Sequence, residues 1–399
     1  MEIAFWIVST VISITLLLAL DFMIGRKLHL SRLRRKHYPE RQSQLRIFTN
    51  GPELFTDYFH ELRKAKKHIH VLFYIVKDDG ISQEFMAILK QKAQEGVEVR
   101  LLVDWVGCYL SRKSIKALKT AGVEFVYSQK PNFPFLFYKS QVRNHRKITV
   151  IDGMLGYAGG YNVGKEYNNQ DKKLNPWRDY HLKIAGEGVH DLQEQFLLDW
   201  QRAAKVNLLQ KDVYFPPLAR GEIRQQFVPS EGNLLEGVLY ELLQKAEKSI
   251  FIGTPYFIPS PKVFNQLLSA LDRGVSVTLL VPFMSDHALV QEASYTYLRT
   301  IIKHGATVYQ YKKGFYHAKV LLIDDRLCDL GTANFDKRSM YLNFELNCMI
   351  FNRDFITRVQ MILRQDILDS KEVSLDDLNR FNPFRSLKER VALTFSYFL

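Results

Sequence analysis

The chain carries an internal duplication, because four short segments of its first half recur in the same order in its second half. Each pair has the pattern of a helix end or turn that leads into a buried strand of apolar and β-branched residues. The partners lie 172 to 183 residues apart, and this drift is what loop insertions produce. The paired segments are 65–75 with 246–258, 95–104 with 273–282, 121–127 with 304–311, and 145–153 with 317–325.

These strands alternate with helical stretches, such as 82–95 and 261–273, which indicates α/β units with a largely buried sheet in each half. A length of 399 residues also fits two domains better than one. The proline pair at 216–217 is a suitable place for the join. We therefore predict a duplicated α/β fold, with a first half at 46–215 and a second half at 216–380.

The stretch before the first repeat predicts a membrane anchor. Positions 3–20 hold no charged residue, and apolar positions beyond Asp21 extend the span to about 22 residues, enough to cross roughly 30 Å of hydrocarbon. The leading residues lack the positive region of a cleavable signal peptide. We predict one uncleaved transmembrane helix at 1–25, with Asp21 solvated near the membrane interface.

A basic juxtamembrane segment, predicted at 26–45, follows the anchor. Between Arg26 and Arg46 there are eight Lys or Arg residues and one acid, so this stretch carries +7 of the net charge of +13. Positive flanks stay in the cytoplasm, which predicts a single-pass protein of the cell membrane with its body on the cytoplasmic side. Binding of anionic lipid by the same residues is left open, and a basic patch by itself suits nucleic acid equally well.

Two further segments have two possible roles each. The aromatic run 133–138 either lines a lipid entry or packs on the body. The segment 381–399 is basic and amphipathic, and it either lies on the membrane surface or docks on the body. The three cysteines, Cys108, Cys328 and Cys348, are scattered, so they predict neither a disulfide framework nor a thiolate metal site.

One motif occurs in both halves and carries the candidate chemistry. In a strand, alternate side chains share a face, so its histidine and lysine lie together. Glycines further along permit a tight turn that brings an asparagine beside them. Its positions are His145, Lys147, Asp152 and Asn162 in the first half, and His317, Lys319, Asp324 and Asn334 in the second. A pattern repeated at corresponding positions of a duplicated chain indicates function far more strongly than either copy alone.

The doubled motif, a histidine, a lysine two positions on and an aspartate five after that, resembles the phospholipase D superfamily over nearly the whole chain beyond Leu45. Four further stretches are similar to bacterial cardiolipin synthases: GGYNVGKEY at 159–167, PWRDYHLKI at 176–184, TPYFIP at 254–259 and GTANFDKRSMYLNFELN at 331–347. Those enzymes commonly begin with two spanning helices, whereas this chain has one, which suggests a shorter, minor-type paralogue.

The resemblance implies two halves that share one active site and transfer a phosphatidyl group through a phosphatidyl-histidine intermediate. By analogy His145 is the nucleophile and His317 the general acid and base, and pseudo-symmetry leaves this order open. Asp179, 34 residues after His145, and Glu345, 28 after His317, match the carboxylates that orient the imidazoles. The phosphate oxygens would be bound by Lys147, Lys319, Asn162 and Asn334, so no metal and no cofactor is expected.

Asp152 and Asp324 belong to the catalytic motif, but each falls at a strand end on the opposite face. We therefore expect them to bond turn amides rather than to take part in the chemistry. The function predicted is that of a cardiolipin synthase, which joins two phosphatidylglycerol molecules and releases glycerol. A lipid hydrolase, and after it a nuclease, are the alternatives, because all three cleave a phosphodiester. The expected partners are phosphatidylglycerol and anionic membrane lipid, with no nucleic acid, and the sequence indicates no oligomeric state.

Overall fold

A computed structural model describes residues 1–33, 35–287, 289–379 and 383–399. Arg34 of the predicted basic segment, Arg380 of the predicted second half and the first two residues of the predicted tail lie outside this description. The described strands are β1 Arg41–Asn50, β2 His68–Phe73, β3 Glu98–Asp104, β4 Glu124–Ser128, β5 Ile148–Ile151, β6 Leu155–Gly159, β7 Trp177–Gly186, β8 Ile223–Ser230, β9 Ser249–Gly253, β10 Phe257–Ile258, β11 Ser276–Pro282, β12 Thr307–Tyr311, β13 Phe315–Tyr316, β14 Val320–Ile323, β15 Leu327–Gly331, β16 Phe335–Asp336, β17 Glu345–Ile350 and β18 Ser370–Glu372.

Helices connect and cover these strands. They are α1 Glu2–Arg32, α2 Gly51–Lys64, α3 Gly80–Gln94, α4 Arg112–Thr120, α5 Leu136–Gln141, α6 Gly188–Ala204, α7 Leu234–Gln244, α8 Pro261–Asp272, α9 Val290–Lys303, α10 Lys337–Tyr341, α11 Arg353–Leu368, α12 Leu375–Asn379 and α13 Pro383–Thr394. Several begin with the expected side-chain caps, for example Asp79 before α3 and Ser260 before α8, each of which accepts a backbone N–H three residues on.

The predicted duplication is confirmed, and the two halves share one sheet. The described strand order is β18-β12-β11-β9-β14-β15-β17-β8-β1-β7-β6-β5-β2-β3-β4. Read outward from the β8–β1 pair, both sides have the same order, so β1 corresponds to β8, β7 to β17, β6 to β15 and β5 to β14. The sequence predicted a sheet in each half, but β1 and β8 pair antiparallel and join them, with Ser43 opposite Ile223. This pairing removes two edges that would otherwise leave backbone groups unpaired.

Helices cover both faces of the sheet in three layers. On one face, α6 and α11 pack over a core to which both halves contribute, including Phe196, Trp200 and Phe355. On the other face each half keeps its own core, under α2 and α3 in the first half and under α7, α8 and α9 in the second. The central strands β2, β5 and β14 are buried along their whole length, as expected for strands covered on both faces.

The N-terminal helix continues past the end of the predicted anchor at residue 25. Of the described residues, one helix, α1, is long and apolar enough to cross a membrane. It continues without a break to Arg32, so the predicted boundary between 25 and 26 falls inside a single helix. The residues from Arg26 to Arg32 are mostly good helix formers, and no proline or second glycine ends the helix there. The first half then begins at Arg41, inside the predicted basic segment 26–45.

The C-terminal segment docks on the body by one face. Ala392 of α13 is fully buried, and Glu389 forms an ion pair with Arg299 of α9. The opposite face keeps large apolar side chains exposed, namely Phe384, Leu387, Val391 and Phe395. Of the two roles left open for 381–399, docking on the body is therefore observed for the described part, and an apolar outer face is still available.

Candidate active site

The two motif histidines lie where the halves meet, and backbone hydrogen bonds across the join hold them there. His145 precedes β5, and its N–H donates to the carbonyl of Phe344, 2.9 Å away in the other half. His317 precedes β14, and its N–H donates to the carbonyl of Arg178 at 2.7 Å. Both acceptors directly precede a predicted orienting carboxylate. The duplication therefore places each histidine beside the carboxylate of the opposite half.

The side chains follow this crossed arrangement. His145 Nδ1 lies 2.9 Å from Glu345 Oε2, and His317 Nδ1 lies 2.6 Å from Asp179 Oδ2. The sequence positioned each carboxylate by its spacing from the histidine of its own half, yet the structure pairs it with the other histidine. A ring that donates its Nδ1 proton to a carboxylate keeps an unprotonated Nε2, which is the form needed for attack or for proton transfer.

The two carboxylates have different surroundings. Glu345 also accepts hydrogen bonds from Thr332 Oγ1 at 2.6 Å, Ser339 Oγ at 2.8 Å and Asn343 Nδ2 at 3.2 Å. Asp179 accepts the N–H of Tyr180 at 2.7 Å and lies 3.5 Å from Lys319 Nζ. These three donors to Glu345 were not identified from the sequence. The available signal was Thr332, which stands in the second motif where the first motif has a glycine.

Both motif lysines are buried beside the histidines. Lys147 Nζ donates to the carbonyl of His145 at 2.7 Å. Lys319 Nζ donates to the carbonyl of His317 and lies 2.6 Å from His317 Nδ1. When Nδ1 of His317 donates its proton to Asp179, no lone pair is left there to accept a hydrogen bond from Lys319. The positive charge of Lys319 then acts on the ring by repulsion, which lowers the pKa of His317. Each lysine is thus bonded to the backbone of its histidine, and Lys319 also contacts the ring of His317.

Burial dominates the electrostatics of the four basic groups. It lowers the pKa of His145, despite the opposing charge of Glu345, and it lowers the pKa of His317 to about 4, with a further contribution from Lys319. Burial also lowers the pKa of Lys147 to about 7, and the pKa of Lys319 moves in the same direction. Burial disfavours charged forms, so the protein groups alone favour neutral histidines and a weak hold on the lysine protons.

The carboxylates behave in the opposite way. Burial by itself would raise the pKa of Asp179, but the charges of Lys319 and His317 outweigh it, and the pKa is lowered. The pKa of Glu345 is lowered as well, because His145 and Lys147 outweigh its burial. Both groups are therefore ionised at neutral pH and accept hydrogen bonds, as an orienting role requires.

The two motif asparagines lie on the turns predicted for them. Asn162 Oδ1 accepts the N–H of Ile75 at 3.0 Å, and its amide nitrogen lies 3.3 Å from Tyr167 Oη. Asn334 lines a small cavity together with Lys319. Its Oδ1 is buried and has no hydrogen-bond partner among the described residues. The geometry leaves a phosphate-binding role open to both amides, so this role stays a prediction.

Asp152 and Asp324 stand apart from the other motif residues, at the far ends of β5 and β14. Asp152 accepts the N–H groups of three residues that lead into β2, at 2.7 to 2.9 Å. Asp324 accepts the three equivalent N–H groups before β9, also at 2.7 to 2.9 Å. Both have a positive φ, 56° and 52°, at the turn. Both carboxylates therefore bond turn amides of the scaffold, as expected; that they take no part in the chemistry, although they belong to the catalytic motif, stays a prediction.

We expect Asp324→Asn to lower stability without removing the covalent chemistry. The change weakens three charge-assisted bonds, and a loss of about 1–3 kcal/mol is expected in chemical denaturation. Burial alone would raise the pKa of Asp324, but the backbone amides outweigh it and lower the pKa to about 2. The stabilisation is therefore present above the ordinary aspartate range and is lost as the pH falls towards 2. Asp152→Asn is the matched variant, and loss of the covalent intermediate in a folded Asp152→Asn protein would contradict the scaffold role.

Tyr74 and Arg146, which were not singled out in the sequence, complete the site together with Tyr256 of the TPYFIP stretch. Tyr74 lies edge-on to the His145 ring, with centroids 4.9 Å apart, and Tyr256 lies edge-on to His317 at 6.2 Å. Arg146, fully buried, donates from Nε to the carbonyl of Glu345 at 3.0 Å and from Nη1 to Asp199 at 2.7 Å. It therefore ties the strand that carries Glu345 to the first half. Its position between His145 and Lys147 in the motif was the available signal.

The described residues contain no group of three or more His, Cys, Asp or Glu side chains arranged to hold a metal ion. The expectation that no metal or cofactor takes part stays a prediction. What the site does offer is two imidazoles, two lysine amino groups and two ionised carboxylates around one join. Such a duplicated α/β fold with a crossed pair of histidines defines a phospholipase D-like protein.

Comparisons with known proteins agree with this class. The family model described as "Cardiolipin synthase, PLD-like domain" matches residues 58–200 and 239–367. The minor cardiolipin synthase ClsB of Bacillus subtilis (strain 168) is 38% identical over 384 residues, which is 96% of each chain. A cardiolipin synthase of Geobacillus kaustophilus is 39% identical over 352 residues, 86% of this chain and 70% of that one. The chain belongs to the cardiolipin synthase family of phospholipase D-like proteins.

Solved structures support the fold at much lower identity. The phosphatidylserine synthase of Haemophilus influenzae Rd KW20 aligns with a TM-score of 0.72 at 16% identity, over 94% of this chain and 99% of that one. The polyphosphate kinase of Porphyromonas gingivalis aligns with a TM-score of 0.58 at 15% identity, over 87% of this chain and 52% of that one. At this level of identity the likeness concerns the fold alone.

Proposed function

We propose that the chain is a cardiolipin synthase that transfers a phosphatidyl group from one phosphatidylglycerol to the glycerol head group of another. Its products are cardiolipin and glycerol. The observation that carries the proposal is the crossed pair of histidines, each held by a carboxylate of the opposite half and flanked by a buried lysine. Relatives named as cardiolipin synthases, one of them matched over 96% of both chains, supply the substrate.

In the first step, Nε2 of His145 attacks the phosphorus of the donor lipid. The bond from phosphorus to the glycerol head-group oxygen breaks, and that oxygen takes a proton from Nε2 of His317. Glycerol leaves, and a phosphatidyl group remains on His145. A covalent intermediate of this kind divides one difficult displacement into two easier ones. The Nδ1 contact with Glu345 keeps the lone pair of His145 on the attacking nitrogen.

In the second step, a hydroxyl group of the acceptor phosphatidylglycerol gives its proton to His317, and its oxygen attacks phosphorus. The phosphorus–nitrogen bond breaks and His145 is restored. The carboxylate of Asp179 stabilises the imidazolium form of His317 in both proton transfers. The two steps together turn two phosphatidylglycerol molecules into one cardiolipin and one glycerol.

The lysines explain how a site with low histidine pKa values performs this chemistry. An incoming phosphodiester is an anion, and its charge beside Lys147, Lys319 and His317 raises the pKa of each group. Substrate binding therefore favours the protonated forms of these three groups, which burial by itself disfavours. Preorganised donors of this kind are typically worth about 3 kcal/mol each to the barrier. Asn162 and Asn334 are proposed to add neutral donors to the same oxygens.

The membrane orientation is part of the proposal. Basic residues cluster on one side of the apolar span of α1, between Arg26 and Arg46, and positive flanks favour the cytoplasmic side. The catalytic body then faces the inner leaflet, where phosphatidylglycerol is an anionic lipid. Lipid is the expected partner, and no nucleic acid is expected.

The function is tested by incubating the full chain with labelled phosphatidylglycerol vesicles. We expect labelled cardiolipin and free glycerol in equal amounts. Phosphatidic acid as the only product would contradict the synthase and identify a hydrolase, since water would be the acceptor. Cleavage of nucleic acid with no turnover of lipid, together with DNA binding that weakens steeply with salt, would identify a nuclease.

A further inference from the structure

Helix α1 does more than cross the hydrocarbon, because its last third packs against α5, which ends four residues before His145. Leu20 is 53% exposed, whereas Gly25 is buried against α5. A Cβ atom added to Gly25 would lie 2.8 Å from the Cβ of Phe135 and 2.9 Å from that of Tyr138. The absence of a side chain at Gly25 is therefore what allows the two helices to approach so closely.

Two polar contacts fix the position of α1 along its axis. Asp21 Oδ1 accepts the N–H of Tyr138 at 2.8 Å, and His29 Nδ1 lies 2.5 Å from the hydroxyl of the same tyrosine. Asp21, Gly25 and His29 are spaced by four residues, so they share one face of the helix. The sequence analysis expected Asp21 to be solvated, but it accepts a backbone N–H in the first turn of α5. Contacts above and below Gly25 leave α1 little freedom to slide or rotate.

A further contact links α1 to the backbone that holds His145. The His29 ring lies 6.0 Å from the Phe344 ring, and the Phe344 carbonyl accepts the N–H of His145. Five residues separate His29 from Ile24, the last exposed residue of the apolar span, which corresponds to about 8 Å of helix. The polar layer on each side of a bilayer is about 5–8 Å thick. His29 thus lies near the level of the lipid phosphates, one ring contact away from the residue whose carbonyl holds His145.

Two segments that carry exposed apolar side chains contact α1 at Phe22, near the end of its apolar span. The Phe22 ring packs against Phe137 at 6.2 Å and against Phe398 at 5.4 Å, so the segment 133–138 and the C-terminal segment meet at this point. In the first of these segments Phe133 is 83% exposed, and in α13 Phe384 is 80% exposed. The segment that carries Phe133 and the C-terminal segment that carries Phe384 are thus both tied to α1, and a bilayer is the occupant that fits their exposed apolar side chains.

We propose that residues 21–32 of α1 form a docking strut that holds the mouth of the active site at the depth of the lipid head groups. The strut seats Phe133 and the outer face of α13 in the membrane interface. The inference rests on the proposed function only in that the substrate is a membrane phosphodiester. It assigns the anchor a part in catalysis that a flexible tether of the same hydrophobicity would not have.

The test uses the full chain reconstituted in phosphatidylglycerol vesicles and compares two glycine substitutions. Gly25→Leu forces α1 away from α5, and we expect vesicle turnover to fall at least tenfold, on the order of the 1.4 kcal/mol that a factor of ten represents. Turnover of short-chain phosphatidylglycerol dissolved below its micelle concentration should stay within about threefold, because that substrate needs no fixed depth. Gly237→Leu in α7 is the control, since an added Cβ at Gly237 meets no atom within 4 Å. Asp21→Ala adds no bulk. It should also lower the ratio of vesicle turnover to short-chain turnover, but by less than Gly25→Leu does.

If Gly25→Leu left the ratio of vesicle turnover to short-chain turnover unchanged, whether both activities were kept or both were lost equally, the strut would be overturned. A second readout does not depend on activity. The tryptophan introduced by Phe133→Trp should be quenched by lipids brominated on the acyl chains, and Gly25→Leu should reduce this additional quenching by at least half. If Phe133→Trp alone added no quenching, the proposal would also be contradicted. If the unsubstituted chain turns over neither vesicle nor short-chain phosphatidylglycerol but the quenching is as expected, the proposed function fails and the strut stands.

Discussion

With phosphatidyl-p-nitrophenol as donor, His317→Ala is expected to release one nitrophenolate per chain and then stop, whereas His145→Ala releases none. Nitrophenolate leaves without help from a general acid, so the first displacement needs only the nucleophile. The second displacement needs a base to activate the acceptor, and this base is missing in His317→Ala. With phosphatidylglycerol as donor, both variants should lose at least about 10⁴-fold in turnover, because residues that act as a unit fail together.

The amplitude of the nitrophenolate burst measures this prediction directly, against the concentration of folded chain. Lys371→Ala is a suitable control, since Lys371 is an exposed lysine outside the basic segment that forms a surface ion pair with Asp377. It should keep full multiple turnover. A burst in His145→Ala together with none in His317→Ala would reverse the roles of the two histidines. Bursts in neither variant, with normal folding, would contradict the covalent mechanism.

The crossed carboxylates give the second large effect. Glu345→Gln and Asp179→Asn are each expected to lower turnover of phosphatidylglycerol by about 10³–10⁴, because an amide in place of the carboxylate favours the wrong imidazole tautomer. The structure further predicts which step each change affects. Glu345 contacts His145, so Glu345→Gln should slow the nitrophenolate burst of His317→Ala.

Asp179→Asn is the matched variant for this experiment. Asp179 contacts His317, so in a chain that already lacks His317 it should slow the burst much less than Glu345→Gln does. Thr332→Val removes one neutral donor to Glu345, at 2.6 Å, and should have a smaller effect in the same direction. If Asp179→Asn slowed the burst and Glu345→Gln did not, each carboxylate would serve the histidine of its own half, against the geometry.

Much of the fold was predictable because it is local and repeated. The strands β2 and β9 and their neighbours are apolar runs flanked by helix ends, and each prediction in one half was supported by its counterpart in the other. The histidines and lysines were predictable for the same reason. His145 and His317 lie two residues before a lysine, and alternation along an extended chain brings each pair together.

The crossed pairing was not predictable, because spacing along the chain says nothing about which half supplies a neighbour. It depends on contacts across the join: β13 pairs with β7 through Tyr316 and Arg178, and Asn144 pairs with Phe344. The role of Asp21 was missed for a similar reason, since its partner, Tyr138, is 117 residues away. Interactions of this kind become visible only when the two halves and the anchor are placed together.

The most direct test of the account is to find the phosphatidyl group on the protein. The unsubstituted chain is mixed with labelled phosphatidylglycerol vesicles, quenched rapidly in denaturant at about pH 8, where the phosphorus–nitrogen bond and the acyl esters both survive, and digested for peptide mass spectrometry. We predict a phosphatidyl adduct on the peptide that contains His145, and none on the peptide that contains His317. An adduct on any other residue, or cardiolipin formed at full rate with no adduct trapped at any time, would contradict a shared site in which one half attacks and the other transfers the proton.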